Sequence, residues 1–361
     1  MFLPELSHNE RLLLSMIRKE PRPRMALAKL MGLSAQALTN ISRRLIDLGL
    51  LAEGEAVRGK VGQPHTPLAP APDGALFLGL KLGRRLVELA LVDFAGRIRV
   101  HRQEVQAHPD PERIVTFARL GIESIIAELP ANLRDRIAGL GIAAPFRLWD
   151  WGSEFAPWRD RDICAELGQV LPFPVYLEND ASSACAGELI FGRSDLPSNF
   201  LYLYVAHYAG GGLVLDDRLR LGPNRNAGAA GSLPLPGGGQ LLDVASVATL
   251  ERTLGRALPP DDSGWDVPAG VLDDWIAGAG RSLAFAGFAG TTLCDLDAVV
   301  IDGAVPARIR AGIVEAARRA MDDLPQAGVD APAIVAGSLG RSARILGAAA
   351  LPLAQGFLPD G

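Results

Sequence analysis

A short polar row in the N-terminal part of the chain carries side chains suited to reading DNA bases. Gln36, Thr39, Asn40 and Arg43 fall at helical spacing. Amide and guanidinium groups pair with the edges of adenine and guanine in the major groove, which is wide enough to admit an α-helix. If this segment is helical, we predict that these four side chains contact DNA together with the adjacent Arg44.

The surrounding pattern predicts a helix-turn-helix. Apolar residues at helical spacing predict a first helix over 9–19 and a second over 24–31, which Gly32 ends. Ser34 is a suitable N-cap for the third helix. The apolar face of that helix lies opposite the polar row and consists of Leu38, Ile41, Leu45 and Leu48.

A two-stranded wing is predicted after the third helix, with residues 50–57 pairing with residues 66–68. Arg58 and Lys60 lie in the turn-rich segment between them and are expected to face phosphate or the minor groove. The first 70 residues hold ten Lys or Arg against six Asp or Glu, whereas the remainder holds 26 against 35. The N-terminal region is therefore a separate basic unit, for which a solvated helical interaction domain is the alternative.

Composition excludes several classes of protein. With 361 residues, 48% of them hydrophobic, and a net charge of -5, the chain predicts two or three folded domains rather than disorder. No stretch approaches the about 18 apolar residues of a spanning helix, and the N-terminus lacks a signal-peptide pattern. We therefore expect a cytoplasmic protein without membrane contact. Cys164, Cys185 and Cys294 lie too far apart to predict a disulfide framework or a zinc site.

Residues 73–361 predict two related α/β lobes, at 73–192 and 193–361, which follow the N-terminal domain at 1–70. Three short strands separated by turns predict an antiparallel meander over 75–104, and helices then alternate with strands. A similar pattern of short strands and turns begins again at residue 200, with a glycine turn over 209–212. We expect the C-terminal helix to pack back on the first lobe, and ligands of such folds usually bind between lobes.

Four segments, in order, resemble the ROK family: LSHNERLLLSMIRKE, LAKLMGLSAQALTNISRRLIDLGLL, VYLENDASSACAGELIFG and GGGLVLDDRLRLGPNRNAGAAGS. That family joins sugar kinases to transcriptional regulators in which a winged helix precedes an actin-like (ribonuclease H-like), two-lobed domain. The resemblance covers nearly the whole chain and implies that α/β fold. It also implies homodimers or homotetramers that bind palindromic operators in double-stranded DNA, usually at carbohydrate-related genes.

The resemblance assigns the remnants of a kinase site in the first lobe. Asp180 stands at the position of the family's catalytic base, beside Asn179, which would bond a sugar hydroxyl. A helix N-cap is the structural alternative for this pair. Lys81 replaces a carboxylate that organises metal and phosphate in the kinases, and an ammonium group cannot ligate Mg²⁺.

The second lobe departs further from the kinase pattern. His207 and Tyr208 stand in the loop that cradles phosphate in family kinases, which has lost its hydroxyl residue. Ala229 and Ser232 replace a sugar-binding Glu and a zinc-binding His, and the family's zinc cysteines are absent. The sequence therefore predicts no metal, no cofactor and no enzymatic activity.

These observations predict a transcriptional regulator, most simply a repressor, with a catalytically dead kinase-like domain for dimerisation and effector sensing. Asn179, Asp180 and Ser232 are the predicted contacts of a small sugar-like effector. Two alternatives stay open. The chain could be an ATP-dependent sugar kinase with a DNA-binding arm, or a regulator whose C-terminal domain is purely architectural.

Overall fold

The protein is described by a computed structural model that covers residues 3–54, 66–150 and 153–359. Its chain forms two compact units, Met1–Asp180 with Ala348–Gly361, and Ala181–Gly347. The N-terminal helices and the first lobe thus lie in one compact unit. The division into three domains at 1–70, 73–192 and 193–361 stays a prediction.

The N-terminal region is a three-helix domain with a small sheet. Its elements are α1 (His8–Lys19), β1 (Arg22–Pro23), α2 (Arg24–Met31), α3 (Ala35–Asp47), β2 (Leu51–Glu53) and β3 (Pro67–Pro70). As predicted, Gly32 ends α2 in the left-handed region at a φ of 64° and Ser34 caps α3. The core beneath the helices is fully buried and contains Leu13, Leu14, Ile17, Leu27, Leu38 and Leu45.

The sheet of this domain has three strands in the order β1-β3-β2, all antiparallel. The predicted pairing of 50–57 with 66–68 is present in part: β2 pairs residues 51–53 with residues 68–70 of β3, whereas residues 50, 54 and 66 lie outside these strands. Residues 55–57 fall outside the described part of the chain. The strand β1 was not predicted, because its proline suggests only the end of a helix. Proline is tolerated there because β1 is an edge strand.

The first lobe contains a five-stranded sheet in the order β6-β5-β4-β7-β8. β4, β5 and β6 form the predicted antiparallel meander, and β7 and β8 continue it in parallel with β4. The elements are β4 (Leu76–Leu82), β5 (Leu86–Asp93), β6 (Ile98–Val105), α4 (Pro111–Glu128), α5 (Ala131–Arg134), β7 (Ile137–Ala144), α6 (Ile163–Gly168) and β8 (Val175–Asn179). Apolar residues of β4, β5, β7, α4 and α6 form one buried cluster.

The second lobe repeats this topology with the sheet order β11-β10-β9-β12-β13. The elements are α7 (Asp180–Phe191), β9 (Phe200–Val205), β10 (Gly210–Leu215), β11 (Arg218–Arg220), α8 (Leu241–Ala245), α9 (Val247–Leu254), α10 (Ala269–Cys294), β12 (Ala298–Gly303), α11 (Ala307–Asp322), β13 (Ala333–Ala336) and the beginning of α12 (Ala343–Phe357), whose residues from Ala348 onwards belong to the first compact unit. The repeated strand order confirms the prediction of two related α/β lobes. None of the described helices is long and apolar enough to cross a membrane.

The glycine run at 209–212 differs from its prediction as a turn. Gly210, Gly211 and Gly212 belong to β10 and pair with Tyr204, Leu203 and Tyr202 of β9. A Cβ on Gly211 would lie 2.6 Å from the Tyr202 carbonyl oxygen and 2.9 Å from that of Gly228. The glycines therefore serve close backbone packing, and the turn lies immediately before them.

The C-terminal part of α12 packs on the first sheet. A Cβ on Gly141 of β7 would lie 1.8 Å from the Ala348 carbonyl oxygen, so only glycine allows this approach. The ring of Phe357 at the end of α12 lies 5.6 Å from that of Phe77 and 5.2 Å from that of Phe94. The end of the chain is thereby fixed against β4 and the turn after β5.

Candidate nucleic-acid interface and effector site

The helix α3 buries one face and exposes the other, as its pattern predicts. Leu38, Ser42 and Leu45 are buried, whereas Gln36, Asn40, Arg43 and Arg44 are exposed and Thr39 is half-buried. The Ser34 side chain accepts a hydrogen bond from the Ala37 amide at 3.1 Å, which satisfies one of the amides at the start of the helix. The cap therefore begins α3 immediately before its polar row.

Hydrogen bonds order part of this polar row. The Gln36 Nε2 group donates to Asn40 Oδ1 at 3.1 Å, which links two amides one turn apart. The Thr39 hydroxyl donates to the Ala35 carbonyl at 2.8 Å. An amide bonded in this way keeps a second N–H donor and a carbonyl acceptor, the pair of groups that an adenine edge requires.

Arg44 lies on the same helix but holds α1 in place. Its guanidinium contacts the Glu10 carboxylate, and its Nη2 donates to the Glu5 carbonyl at 2.9 Å. Glu10 also accepts from the Ser7 amide at 2.7 Å and completes a capping box with it. Burial acts to raise the pKa of Glu10, but the bonds from Arg44 and Ser7 prevail and leave this pKa below its ordinary value.

Arg24 connects α2 to both neighbouring elements of the domain. Its Nε donates to the Ser42 hydroxyl of α3 at 3.2 Å, and its Nη2 lies 2.6 Å from Glu53 Oε1 of β2. This side chain thus connects α2 to both α3 and β2. Arg58 and Lys60, predicted for the wing, lie outside the described residues.

A row of charged side chains crosses the first sheet at the level of Lys81. Lys81 pairs in register with Glu88 of β5 and with Ala143 of β7, which in turn pairs with Glu178 of β8. Lys81, Glu88 and Glu178 are all buried, and we call them the charged row. The Lys81 ammonium contacts the Glu88 carboxylate, which His101 also approaches, with Nε2 at 3.1 Å from Oε1.

Asn179 and Asp180 lie at the end of β8 and the start of α7 in the first compact unit, and both are half-buried. The backbone amide of Asn179 donates to Glu178 Oε1 at 2.7 Å. Asp180 opens α7, where a carboxylate interacts favourably with the positive end of the helix. Ser232, the third predicted effector contact, is exposed at the end of a 3-10 turn, Ala230–Ser232, in the second compact unit.

The loop before β10 bonds to the start of α9. The Val247 and Ala248 amides donate to the carbonyls of Ala206 and His207 at 2.9 and 3.0 Å. His207 Nδ1 also lies 3.3 Å from Glu251 Oε2, and its ring packs edge-on against Tyr208. Helix amides and loop carbonyls thus satisfy each other in this loop.

Among residues 3–54, 66–150 and 153–359, no three side chains of metal-ligating type come together. Ala229 and Ser232 are both exposed in this region of the second lobe. Neither side chain offers the carboxylate or imidazole that the family's sugar and zinc sites use.

The contacts of Lys81 were missed by sequence reasoning, although a signal was present. Once the hairpin of β4 and β5 is recognised, its register places position 88 opposite position 81. The contacts of Arg44 with Glu10 and Glu5 had no comparable signal, because they join residues more than thirty positions apart.

Comparisons with known proteins agree with this architecture. The model of the ROK family matches residues 77–246. The uncharacterized protein y4fQ of Sinorhizobium fredii is 27% identical over 369 residues, covering 98% of this chain and 93% of that protein. The xylose repressor of Caldicellulosiruptor bescii is 24% identical and covers 63% of this chain, which spans 59% of the repressor's length. A glucokinase of Halalkalibacterium halodurans is 25% identical over 48% of this chain and 55% of its own.

A solved structure extends the agreement to nearly the whole chain. The crystal structure of a ROK family transcriptional regulator, a homologue of the Escherichia coli MLC protein, has a TM-score of 0.66 at 20% identity. The alignment covers 96% of this chain and 97% of that one. The fold is therefore the actin-like, two-lobed α/β fold with an N-terminal winged helix, and residues 77–246 form a ROK family domain.

Proposed function

We propose that the protein is a transcriptional repressor of carbohydrate-related genes that binds operators in double-stranded DNA through α3. The observation that carries this proposal is the outer face of α3, where a capped amphipathic helix exposes amide and guanidinium side chains. The positive balance of the first 70 residues supports it, since phosphate contacts dominate affinity for DNA. The similarity to a xylose repressor supports the same class of target.

The proposed base contacts are Gln36, Thr39, Asn40 and Arg43. Arg44 is proposed as a further DNA contact, and Arg58 and Lys60 are proposed to face phosphate or the minor groove. We further propose that the protein acts in the cytoplasm as a homodimer or homotetramer on a palindromic operator. Two recognition helices then meet half-sites about 34–36 Å apart.

Genomic fragments retained by the purified protein would identify its operator. Asn40→Ala or Arg43→Ala should weaken specific binding by roughly 1–3 kcal/mol and change nonspecific binding less. Arg119→Ala, on the exposed side of α4, is the matched control and should bind like the wild type. Operator affinity that is unchanged in both α3 variants would contradict the assignment.

We propose that the kinase-like domain is non-catalytic. Lys81 contacts Glu88 where a metal-organising carboxylate is needed, and the amides at the start of α9 bond to loop carbonyls. Phosphoryl transfer depends on metal ions and on donor groups that stabilise the charge of the transferred phosphoryl group. The second candidate, a sugar kinase, is favoured by Asp180 and by the similarity to a glucokinase. ATP-dependent turnover of a hexose or amino sugar, abolished in Asp180→Asn, would establish that activity instead.

We also propose that the domain binds a small sugar-like effector through Asn179, Asp180 and Ser232. An amide beside a carboxylate offers a donor and an acceptor to adjacent hydroxyls. Such an effector acts only if it prefers one of two conformations. Sugars and polyols should raise the melting temperature of the wild type and not of Asp180→Ala. If no compound does so, the architectural alternative replaces this part of the proposal.

A further inference from the structure

The C-terminal end of α3 is closed by a Schellman motif. The Leu50 amide donates to the Leu45 carbonyl and the Gly49 amide to that of Ile46, both at 2.8 Å. Gly49 has a φ of 73°, the left-handed conformation that this motif requires. The carbonyl of Leu48, the last residue before this glycine, points out of the motif and accepts a bond from elsewhere.

The donor to that carbonyl is Arg136, from the first lobe. Its Nη1 lies 2.9 Å from the Leu48 carbonyl oxygen and 3.3 Å from that of Gly74. A Cβ on Gly49 would lie 3.3 Å from Arg136 Nη2, so the glycine also makes room for the guanidinium. A cation at this end of a helix interacts favourably with the helix dipole.

Arg136 is itself anchored in the lobe. Its carbonyl accepts from the Leu76 amide at 2.9 Å at the start of β4, and its amide donates to Leu133 at 3.0 Å. The backbones of α3 and the first lobe also pack closely at this point, because a Cβ on Gly74 would lie only 2.7 Å from the Gly49 carbonyl oxygen. The end of α3 therefore meets the lobe without a side chain between the two backbones.

From this geometry we infer that Arg136 is a positioning residue for DNA recognition: it caps α3 from the first lobe and fixes its orientation there. Its importance for DNA rests on the proposed function, whereas the contact itself does not. Other arginines also join the two parts, since Arg11 donates to the carbonyls of Gln355 and Leu358 and Arg18 to that of Phe94. Those two residues hold α1, whereas Arg136 bonds to the end of the recognition helix itself.

Arg134 provides a matched control two positions away. It is exposed, and it donates to the carbonyls of Leu129 and Ala127 at 3.0 and 3.1 Å, within its own lobe. Arg136→Gln and Arg134→Gln therefore remove the same charge and the same kind of bond. Only the first removes a contact with α3. Arg136→Lys keeps the cation and can restore one of its bonds.

The first measurement uses the full chain without DNA. Spin labels at Lys29→Cys and Glu123→Cys, both exposed positions, report the distance between the N-terminal domain and α4 by double electron–electron resonance. The background carries Cys164→Ser and Cys294→Ser. We expect a narrow distance distribution in the parent and in Arg134→Gln, a broader one in Arg136→Gln, and an intermediate one in Arg136→Lys. Equal distributions in all four proteins would overturn the inference.

The second measurement is affinity for a retained genomic fragment. Arg136→Gln should bind it about tenfold more weakly, while its nonspecific binding and that of Arg134→Gln stay unchanged. Equal specific affinities would overturn the role of Arg136 in recognition. If the wild type retains no fragment, the proposed function fails, and the distance measurement still decides whether Arg136 positions α3.

Discussion

The outer face of α3 and the charged row of the first sheet place their polar groups differently. On α3, Gln36 and Asn40 bond to each other while exposed to solvent. In the charged row, the exposed fractions of the Lys81 and Glu88 side chains are only 6% and 11%. Both regions lie in one compact unit, yet one presents polar groups outward and the other pairs its charges within the sheet.

This difference separates recognition from structure. A side chain that contacts a macromolecule must be exposed before the partner arrives, and its own hydrogen bonds must leave donors and acceptors available. Charges buried together stabilise each other only through good geometry, and they give up contact with solvent. We therefore expect substitutions in the charged row to change stability first, and substitutions on α3 to change binding first.

The largest effect is expected in the charged row. Glu88→Gln should destabilise the first compact unit by about 3 kcal/mol, because it leaves the buried Lys81 ammonium beside a neutral amide. Urea unfolding followed by circular dichroism measures this loss. The control is Glu104→Gln, which breaks a more exposed pair with Arg113 and should cost under about 1 kcal/mol. An equal loss in the free energy of unfolding in the two variants would contradict the distinction between buried and exposed charges.

A smaller effect is expected at the start of α3. Ser34→Ala removes the acceptor for the Ala37 amide and should weaken the helix by about 1 kcal/mol. Hydrogen exchange of residues 35–47 should then be about fivefold faster, with exchange in β4 unchanged. Ser34→Asp restores an acceptor and should return the rate to that of the wild type. Faster exchange in both variants would show that the cap is not the cause.

The smallest effect concerns pH and the contact between Glu10 and Arg44. Because the pKa of Glu10 is lowered in the folded domain, its ionised form stabilises the fold above the ordinary value of 4.5. That stabilisation is lost as the pH falls below 4.5 through the lowered pKa. The protection of α1 amides against hydrogen exchange, relative to the intrinsic exchange rate at each pH, should fall over this range in the wild type and show a weaker pH dependence in Glu10→Gln. An identical pH dependence in the two proteins would assign the effect to other carboxylates.

The sequence predicted the parts of the molecule that depend on near neighbours. Ser34 and Gly32 mark helix ends through bonds within a few residues, so the limits of α2 and α3 were predicted closely. The prediction of a turn at the glycines 210–212 was wrong, because these positions need glycine for close packing against β9 and Gly228. Arg136 was missed as well, since it contacts residues 62 and 88 positions away and no local pattern records such a contact.

The close packing of Gly74 against the end of α3 affects how chimeras of such proteins can be designed. Joining residues 1–70 to an unrelated lobe would keep α3 and its N-cap Ser34 but lose both Gly74 and Arg136. A chimera of that design would carry the side chains proposed to contact bases on a helix whose Leu48 carbonyl no longer accepts a hydrogen bond from the attached lobe. The transferable module therefore extends beyond the sequence of the winged helix and includes Gly74, in the turn before β4, and Arg136, the residue before β7.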